Sequence, residues 1–277
     1  MRIGTRGSAL AIAQAHSVAE RLGGPAEIVT VTTAGDRNRA AGDKSRWTGA
    51  LEQALLAGEI DLAVHSAKDV PGELAPGTAL LAAPPRADAA DVLIGSPGGL
   101  DGLAEGARVG TSALRRRAQL LAVRADLDVV ELRGNVDTRL RKLAAGELDA
   151  LVLAAAGLAR LGRADVVAAP LEGDVFVPAP GQGCLALQAA AHARFEAADD
   201  QAARAALMAE RAVVARLGAS CHTPVGVYAR DGVLSGFAGL PDGSEWLIDD
   251  APDAEALAAR MLSAGAGELL ARAEAAA

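Results

Sequence analysis

Polar side chains crowd the end of one apolar run, "DLAVHSAKDVP" (61–71), where His65, Ser66, Lys68 and Asp69 lie together and Pro71 stops any continuation. Such a crowd at the end of a buried strand can form an active site, with Asp69 as acid, base or partner of a positive intermediate. A structural cap is the alternative reading, and His65 taken alone reads as a satisfied, half-buried histidine rather than a catalyst. Arginines follow strand-like stretches at three further places: Arg6 in "IGTRGS", Arg115 and Arg116 in "GTSALRRR", and Arg133 and Arg139 in "LRGNVDTRL". In open α/β sheets the carboxyl ends of strands face the ligand crevice, and helix N-termini there offer N–H groups and a positive dipole to anions. A guanidinium adds a planar fork that meets a carboxylate in two hydrogen bonds. One such arginine alone would suggest a solvated, salt-bridged face. Their recurrence points to an anion carrying several carboxylates or phosphates.

The cysteines divide by context. Cys221 sits in "LGASCHTPVG" (217–226) among small and turn-forming residues, where a thiol can reach solvent and act as a nucleophile or an attachment point. No transferable Ser/His/Asp or Cys/His signature surrounds it, which weakens a hydrolase reading. Cys184, in "GQGCLALQ", opens an apolar run and is expected to be buried and inert. Two cysteines and four histidines without paired spacings give no metal site.

Around these residues the chain reads as α/β. Hydrophobic residues make up 51% and aromatics 2%, so the core must come from Ala, Leu and Val, which suit helices packed on buried strands. A βαβ rhythm runs through "RIGT", a helix "ALAIAQAHSVAERL" capped by Ser8 and stopped at Gly23 and Gly24, a strand "AEIVTVTT", a helix "TGALEQALLAG" and the strand "DLAVHS". "AAPPRADAAD" breaks the pattern and marks a domain crossing. The rhythm then repeats through "ARVGTS", "ALRRRAQLLAVR", "LDVVEL", "DTRLRKLAAG", "DALVLAA" and "AGLARLG", which predicts two similar lobes with parallel pairing. Strand-like "DVFVPAP" and the turn "GQG" precede a stretch read as helical to about Leu217. Short strands and a closing helix then form a small α+β domain.

The net charge of −8 argues against a general nucleic-acid binder, yet eight basic residues face four acidic ones between Thr111 and Lys142. An acidic chain has kept a local cationic site. No apolar stretch is long enough to span a bilayer and no basic start leads an apolar run, so a cytoplasmic protein without a membrane partner is expected, its thiols reduced.

The stretches "RIGTRGSALAIAQA", "TAGDR", "LEQALLAGEIDLAVHSAKDVP", "VGTSALRRRAQL", "LRGNVDTRLRKL", "DALVLAAAGLARLG", "PAPGQG" and "GASCHTPVG" stand in this order between residue 2 and about 226. Together they resemble the porphobilinogen deaminase, or hydroxymethylbilane synthase, family. The resemblance implies head-to-tail condensation of four porphobilinogen molecules with release of ammonia, built on a dipyrromethane cofactor and ended by hydrolytic release of a linear tetrapyrrole. The cofactor's thioether would fall on Cys221. Asp69 would hydrogen-bond pyrrole N–H groups and stabilise the azafulvene cation, and Lys68 would meet cofactor carboxylates. Arg115, Arg116, Ser8 and Thr111 would likewise hold the cofactor, and Arg6, Arg133, Arg139 and Arg160 the acetate and propionate groups of the substrate.

The same resemblance implies two lobes like those of periplasmic binding proteins with a cleft between them, 1–87 with 174–198 and 88–173, and a third domain, 199–277, bearing the cysteine. A monomer is expected. The alternative is a non-catalytic, cytoplasmic anion-binding protein on the same two lobes. Two departures stand out. "GDKSRWTGALE" keeps Lys44 where the family reads something like "GKGLFTKELE", but has Trp47 for phenylalanine and Gly49 and Ala50 for a Lys-Glu pair, which leaves the lid role of 36–50 open; Trp47 could stack on a pyrrole or pack. Ala113 replaces the family's second serine in "GTSALRRR" and removes one hydrogen bond.

Overall fold

The computed structural model describes residues 1–33, 45–163, 166, 169–220 and 223–276, with the side chains of 45 and 46 excepted. The chain divides into two compact units, Met1–Ala87 with Gly181–Met208 and Asp88–Pro180 with Ala209–Ala277.

Local signals start the first unit. Strand β1 (Arg2–Thr5) leads to Ser8, whose hydroxyl accepts from the Ala11 N–H at 3.2 Å and caps helix α1 (Ala9–Leu22). Gly23, at φ 69°, closes the helix in the left-handed conformation that suits glycine. Strand β2 (Glu27–Thr30), helix α2 (Ser45–Leu56), strand β3 (Leu62–Ser66) and strand β4 (Thr78–Ala82) follow. The second unit takes over with β5 (Asp91–Ile94), β6 (Arg108–Thr111), α3 (Leu114–Val123), β7 (Asp128–Glu131), α4 (Val136–Ala144), β8 (Ala150–Ala154), α5 (Ala155–Arg160) and the short β9 (Ala169–Pro170). The chain re-enters the first unit as β10 (Leu185–Ala190), and helix α6 (Gln201–Arg216) runs from the first unit into the second. Strands β11 (Val225–Arg230), β12 (Val233–Gly239) and β13 (Trp246–Ala251) and helices α7 (Ala254–Ser263) and α8 (Ala266–Ala275) complete the fold.

Two five-stranded sheets share one plan. The first has the order β2-β1-β3-β10-β4 and the second β7-β6-β8-β5-β9. In each, three parallel strands are joined by a fourth that runs antiparallel to its neighbours, β10 in one and β5 in the other. The third sheet, β11-β12-β13, is wholly antiparallel. The fold class is therefore the expected one, two α/β lobes and a small α+β part. The described residues hold no helix long and apolar enough to cross a membrane.

Two segments depart from the reading of the sequence. "LALQAA" within the expected helical stretch is strand β10, because its Ala, Leu and Gln residues sit between β3 and β4 with both faces buried, and that environment overrides their helical preference. "DVFVPAP", read as strand-like, forms none. Pro178 and Pro180 lack N–H groups, and its carbonyls serve other partners: Pro178 O accepts from the Val227 N–H at 3.0 Å, and Val177 O from Arg115 and Gln119 side chains.

Each sheet builds its own core. Ile3, Val18, Leu62, Val64 and Leu187 fill the first, Leu93, Val109, Leu120 and Val152 the second, and Val227, Leu234, Leu257 and Met261 the third. Within the second unit Ala118 of α3, Val177 and Phe237 of β12 form a shared cluster. The β12–β13 turn seals it: a Cβ on Gly243, at φ 70°, would lie 2.5 Å from both the Ala122 nitrogen and the Leu121 carbonyl carbon.

Gly243→Ala should therefore lose about 2–4 kcal/mol of unfolding free energy in denaturant titration, the sum of left-handed strain and overpacking against backbone. Gly232→Ala, at φ 80° with open space around it, should lose only about 1 kcal/mol. Equal losses would contradict the packing described for this turn.

Candidate active site

In the first unit the end of β3 and the start of α1 open on one hollow of about 70 Å³, lined among others by Arg6, Ser8, Gln14, Trp47, Thr48, His65, Ser66 and Asp69. Asp69 closes a one-turn 3-10 helix, Ala67–Asp69, that follows β3 directly. Arg6 stands just past β1, with its guanidinium carbon 4.0 Å from the centre of the Trp47 ring, a cation–π contact that holds the guanidinium at the hollow. Trp47 thus stacks on Arg6. Residues 36–44 of the stretch 36–50, whose lid role the sequence leaves open, Lys44 included, lie outside the described residues. The Gln14 amide donates to Ser66 Oγ at 2.9 Å, and Lys68 Nζ donates to Gln182 Oε1 at 3.2 Å. His65 is buried, its Nε2 3.0 Å from Gln188 Oε1. Burial lowers its pKa to about 4, against the opposing pull of Gln188, Glu52 and Asp69.

In the second unit the end of β6 and the turns before α3 and α4 gather hydroxyls and arginines. Thr111 Oγ1 accepts from the Ala113 N–H at 3.2 Å, and Ala113 itself caps α3 with no side-chain bond. Arg139 Nη2 donates to Ser112 Oγ at 3.0 Å and its Nε to Gly134 O at 2.9 Å. Arg133 pairs with Glu131 at 2.7 Å, and Arg160 ends α5, half-buried.

Arg115 and Arg116 differ from the others. They are 5% and 6% exposed, and both reach Asp91, 1% exposed, at 2.7 Å. Arg115 also donates to Gln119 Oε1 and Val177 O, and Arg116 to Val152 O. Two cations share one anion out of water, so a surplus positive charge stays indoors; burial accordingly lowers the Arg115 pKa, with Asp91 opposing and Arg116 adding to the shift.

Cys221 and His222 lie outside the described residues. Their flanks are held: Gly218, at φ 63°, follows α6, Ser220 Oγ donates to Glu274 Oε1 at 2.8 Å, and Thr223 Oγ1 donates to Ser220 O at 2.8 Å. Cys184 is buried among Ala67, Val70, Ala83 and Leu207. A larger hollow of about 410 Å³ in the second unit has Glu105 and Asp149 as its charged lining residues, the wrong sign for a carboxylated ligand.

The sequence marks the arginines but not the groups that hold them. Asp91 opens the run "DVLI" as a lone acid, and Gln14 is a lone amide on the buried stripe of α1 with Ala15 and Val18. Both signals stand in the sequence, but their partners are remote in it. Replacing Asp91 by Asn would strand two buried guanidiniums; Asp91→Asn should lower unfolding free energy by about 3–5 kcal/mol, read by denaturant titration, and a loss below about 1 kcal/mol would contradict the pairing.

The whole chain compares with known proteins as follows. Residues 1–198 match the family "Porphobilinogen deaminase, dipyromethane cofactor binding domain" and residues 205–259 "Porphobilinogen deaminase, C-terminal domain". A porphobilinogen deaminase of Roseiflexus castenholzii is 45% identical over 298 aligned positions, covering 98% of each chain, and one of Rubrobacter xylanophilus is 46% identical, covering 97% of this chain and 95% of the relative. Among solved structures, the periplasmic VFT2 domain of Bordetella pertussis BvgS aligns with 68% of this chain and 80% of its own, at 18% identity and a TM-score of 0.40. This chain belongs to the porphobilinogen deaminase family.

Proposed function

We propose that the chain is a hydroxymethylbilane synthase: it joins four porphobilinogen molecules head to tail, releases ammonia from each, and frees the linear tetrapyrrole by hydrolysis, on a dipyrromethane held by a thioether to Cys221. The observation that carries this reading is Asp69 with Arg6 and Ser8 on one hollow, in a chain that aligns over nearly its whole length with relatives named porphobilinogen deaminase. The reading includes a cytoplasmic monomer whose partner is porphobilinogen, and a division into 1–87 with 174–198, 88–173 and 199–277, supported by one sheet in each part.

The donor sets fit a pyrrole chain with acetate and propionate arms. Ser8, Lys68 and Thr111 offer hydroxyl and ammonium donors, and the surplus charge of Arg115 and Arg116 beside Asp91 would be offset by one ligand carboxylate. Asp69 supplies the acceptor that a pyrrole N–H needs. When bound, the dipyrromethane supplies the pyrrole carbon that the first substrate unit joins.

The chain's own residues do the rest. Arg6, Arg133, Arg139 and Arg160 bind substrate carboxylates as charge-assisted pairs and so orient the ring. Asp69 holds the proton at the aminomethyl nitrogen as it departs as ammonia, then faces, as a carboxylate, the positive charge left on the substrate. In a partly enclosed hollow that attraction exceeds its value in water.

Purified protein should release ammonia from porphobilinogen. Asp69→Asn should keep the fold and lower kcat by about 10²–10⁴-fold, the range lost with a positioned acid or base. Turnover within tenfold of the wild type would remove Asp69 from this role, and no ammonia from the wild type would overturn the reading.

A further inference from the structure

A buried chain of side chains runs from α2 to the Asp69 hollow, and the condensation described above does not use it. Glu52 of α2 is 8% exposed and Gln188 of β10 is fully buried. Glu52 Oε1 accepts from the Ala75 N–H at 3.0 Å and from Gln188 Nε2 at 2.8 Å. Thr78 gives its hydroxyl proton to Ala75 O at 2.8 Å, so its oxygen can only accept, and it accepts from Gln188 Nε2 at 2.8 Å. Both amide protons of Gln188 are thereby committed. Turning the amide over would set its carbonyl oxygen against two acceptors, so the orientation has one solution. Gln188 Oε1 then faces His65 Nε2, and a carbonyl cannot donate, so Nε2 carries the proton.

The ring is therefore held in its Nε2–H form. Burial keeps it neutral at pH 7, with Gln188, Glu52 and Asp69 pulling the pKa up and Arg6 pushing it down. His65 lines the hollow with Arg6, Ser66 and Asp69, and with Nε2 turned to Gln188 the nitrogen left for a ligand there is Nδ1, a lone-pair acceptor.

We propose that His65 is a substrate-orienting residue whose Nδ1 accepts a hydrogen bond from the protonated aminomethyl group of porphobilinogen, and that Glu52, Thr78 and Gln188 are positioning residues that fix its tautomer. The proposal rests on the substrate assigned above. An ammonium has three donors to satisfy, and Asp69 meets one side of it. An imidazolium at this place would repel the ammonium and set a second cation beside Arg6, whereas a neutral acceptor adds attraction without charge. The network thus gives the hollow an acceptor that acid does not switch off in the physiological range, which an unconstrained histidine would not provide.

The test is ¹⁵N spectroscopy of the holoprotein labelled at histidine, with the His65 signals assigned by their loss in His65→Phe. At pH 7 the wild type should show the Nε2–H tautomer, with no titration between pH 5 and 8. Adding porphobilinogen to Asp69→Asn, in which turnover is slow, should move the Nδ1 resonance upfield. His65→Phe, which keeps a ring but no acceptor, should raise KM for porphobilinogen about ten- to a hundredfold, the effect of one hydrogen bond to a charged group. An Nδ1–H tautomer, a titration near pH 6.5, or an Nδ1 signal indifferent to saturating porphobilinogen would overturn the proposal. Failure of the substrate assignment would look different: the tautomer would stand while the wild type released no ammonia.

Discussion

Two guanidiniums taken out of water against a single carboxylate set the terms for the second unit. Each buried ion costs several kcal/mol of lost hydration, returned only by close partners, so Asp91 must be delivered accurately to Arg115 and Arg116. Asp91 begins β5, the antiparallel strand of its sheet, and the arginines lie in the first turn of α3. Their remaining donors reach Val152 O on β8 and Val177 O in the segment that also bonds β11. One ion cluster therefore joins strand order, helix position and the seat of the third sheet. The same surplus of charge that strains the fold suits a ligand made of carboxylates.

The first unit solves a different problem, chiefly with uncharged groups. Its polar core, Glu52, Thr78, Gln188 and His65, adds one ionisable acid and a histidine kept uncharged, with every proton of the amide placed. Such a fully connected network tolerates low dielectric, where a half-connected one would not. Around it Arg6 and Asp69 are the charged side chains of the hollow, with the guanidinium lying over the Trp47 ring.

How much was legible follows from how local each signal is. Helix α1 could be read from end to end because Ser8 and Gly23 settle its limits within a turn of themselves. The strand endings that carry Arg6, Thr111 and Asp69 were likewise visible as apolar runs stopped by polar residues. Strand β10 was not, because "LALQAA" has helical preferences and becomes a strand only between β3 and β4, more than a hundred residues away. The commitment of Arg115 and Arg116 to Asp91, and of His65 to Gln188, was hidden for the same reason: the partners lie 24 or more positions apart, and only the sheets bring them together. The role proposed for Cys221 comes from resemblance, since its neighbours in the sequence say only that the thiol stands among small, turn-forming residues.

The proposed function has these donors serving a carboxylated pyrrole chain tied permanently to one cysteine. Intact mass after denaturation addresses it most directly, because a thioether survives unfolding and a bound ligand does not. The wild-type chain and Cys184→Ser should each carry an increment of two linked pyrrole units, and Cys221→Ser should lack it. An unmodified mass in protein that turns over porphobilinogen, or an increment that persists in Cys221→Ser, would contradict it.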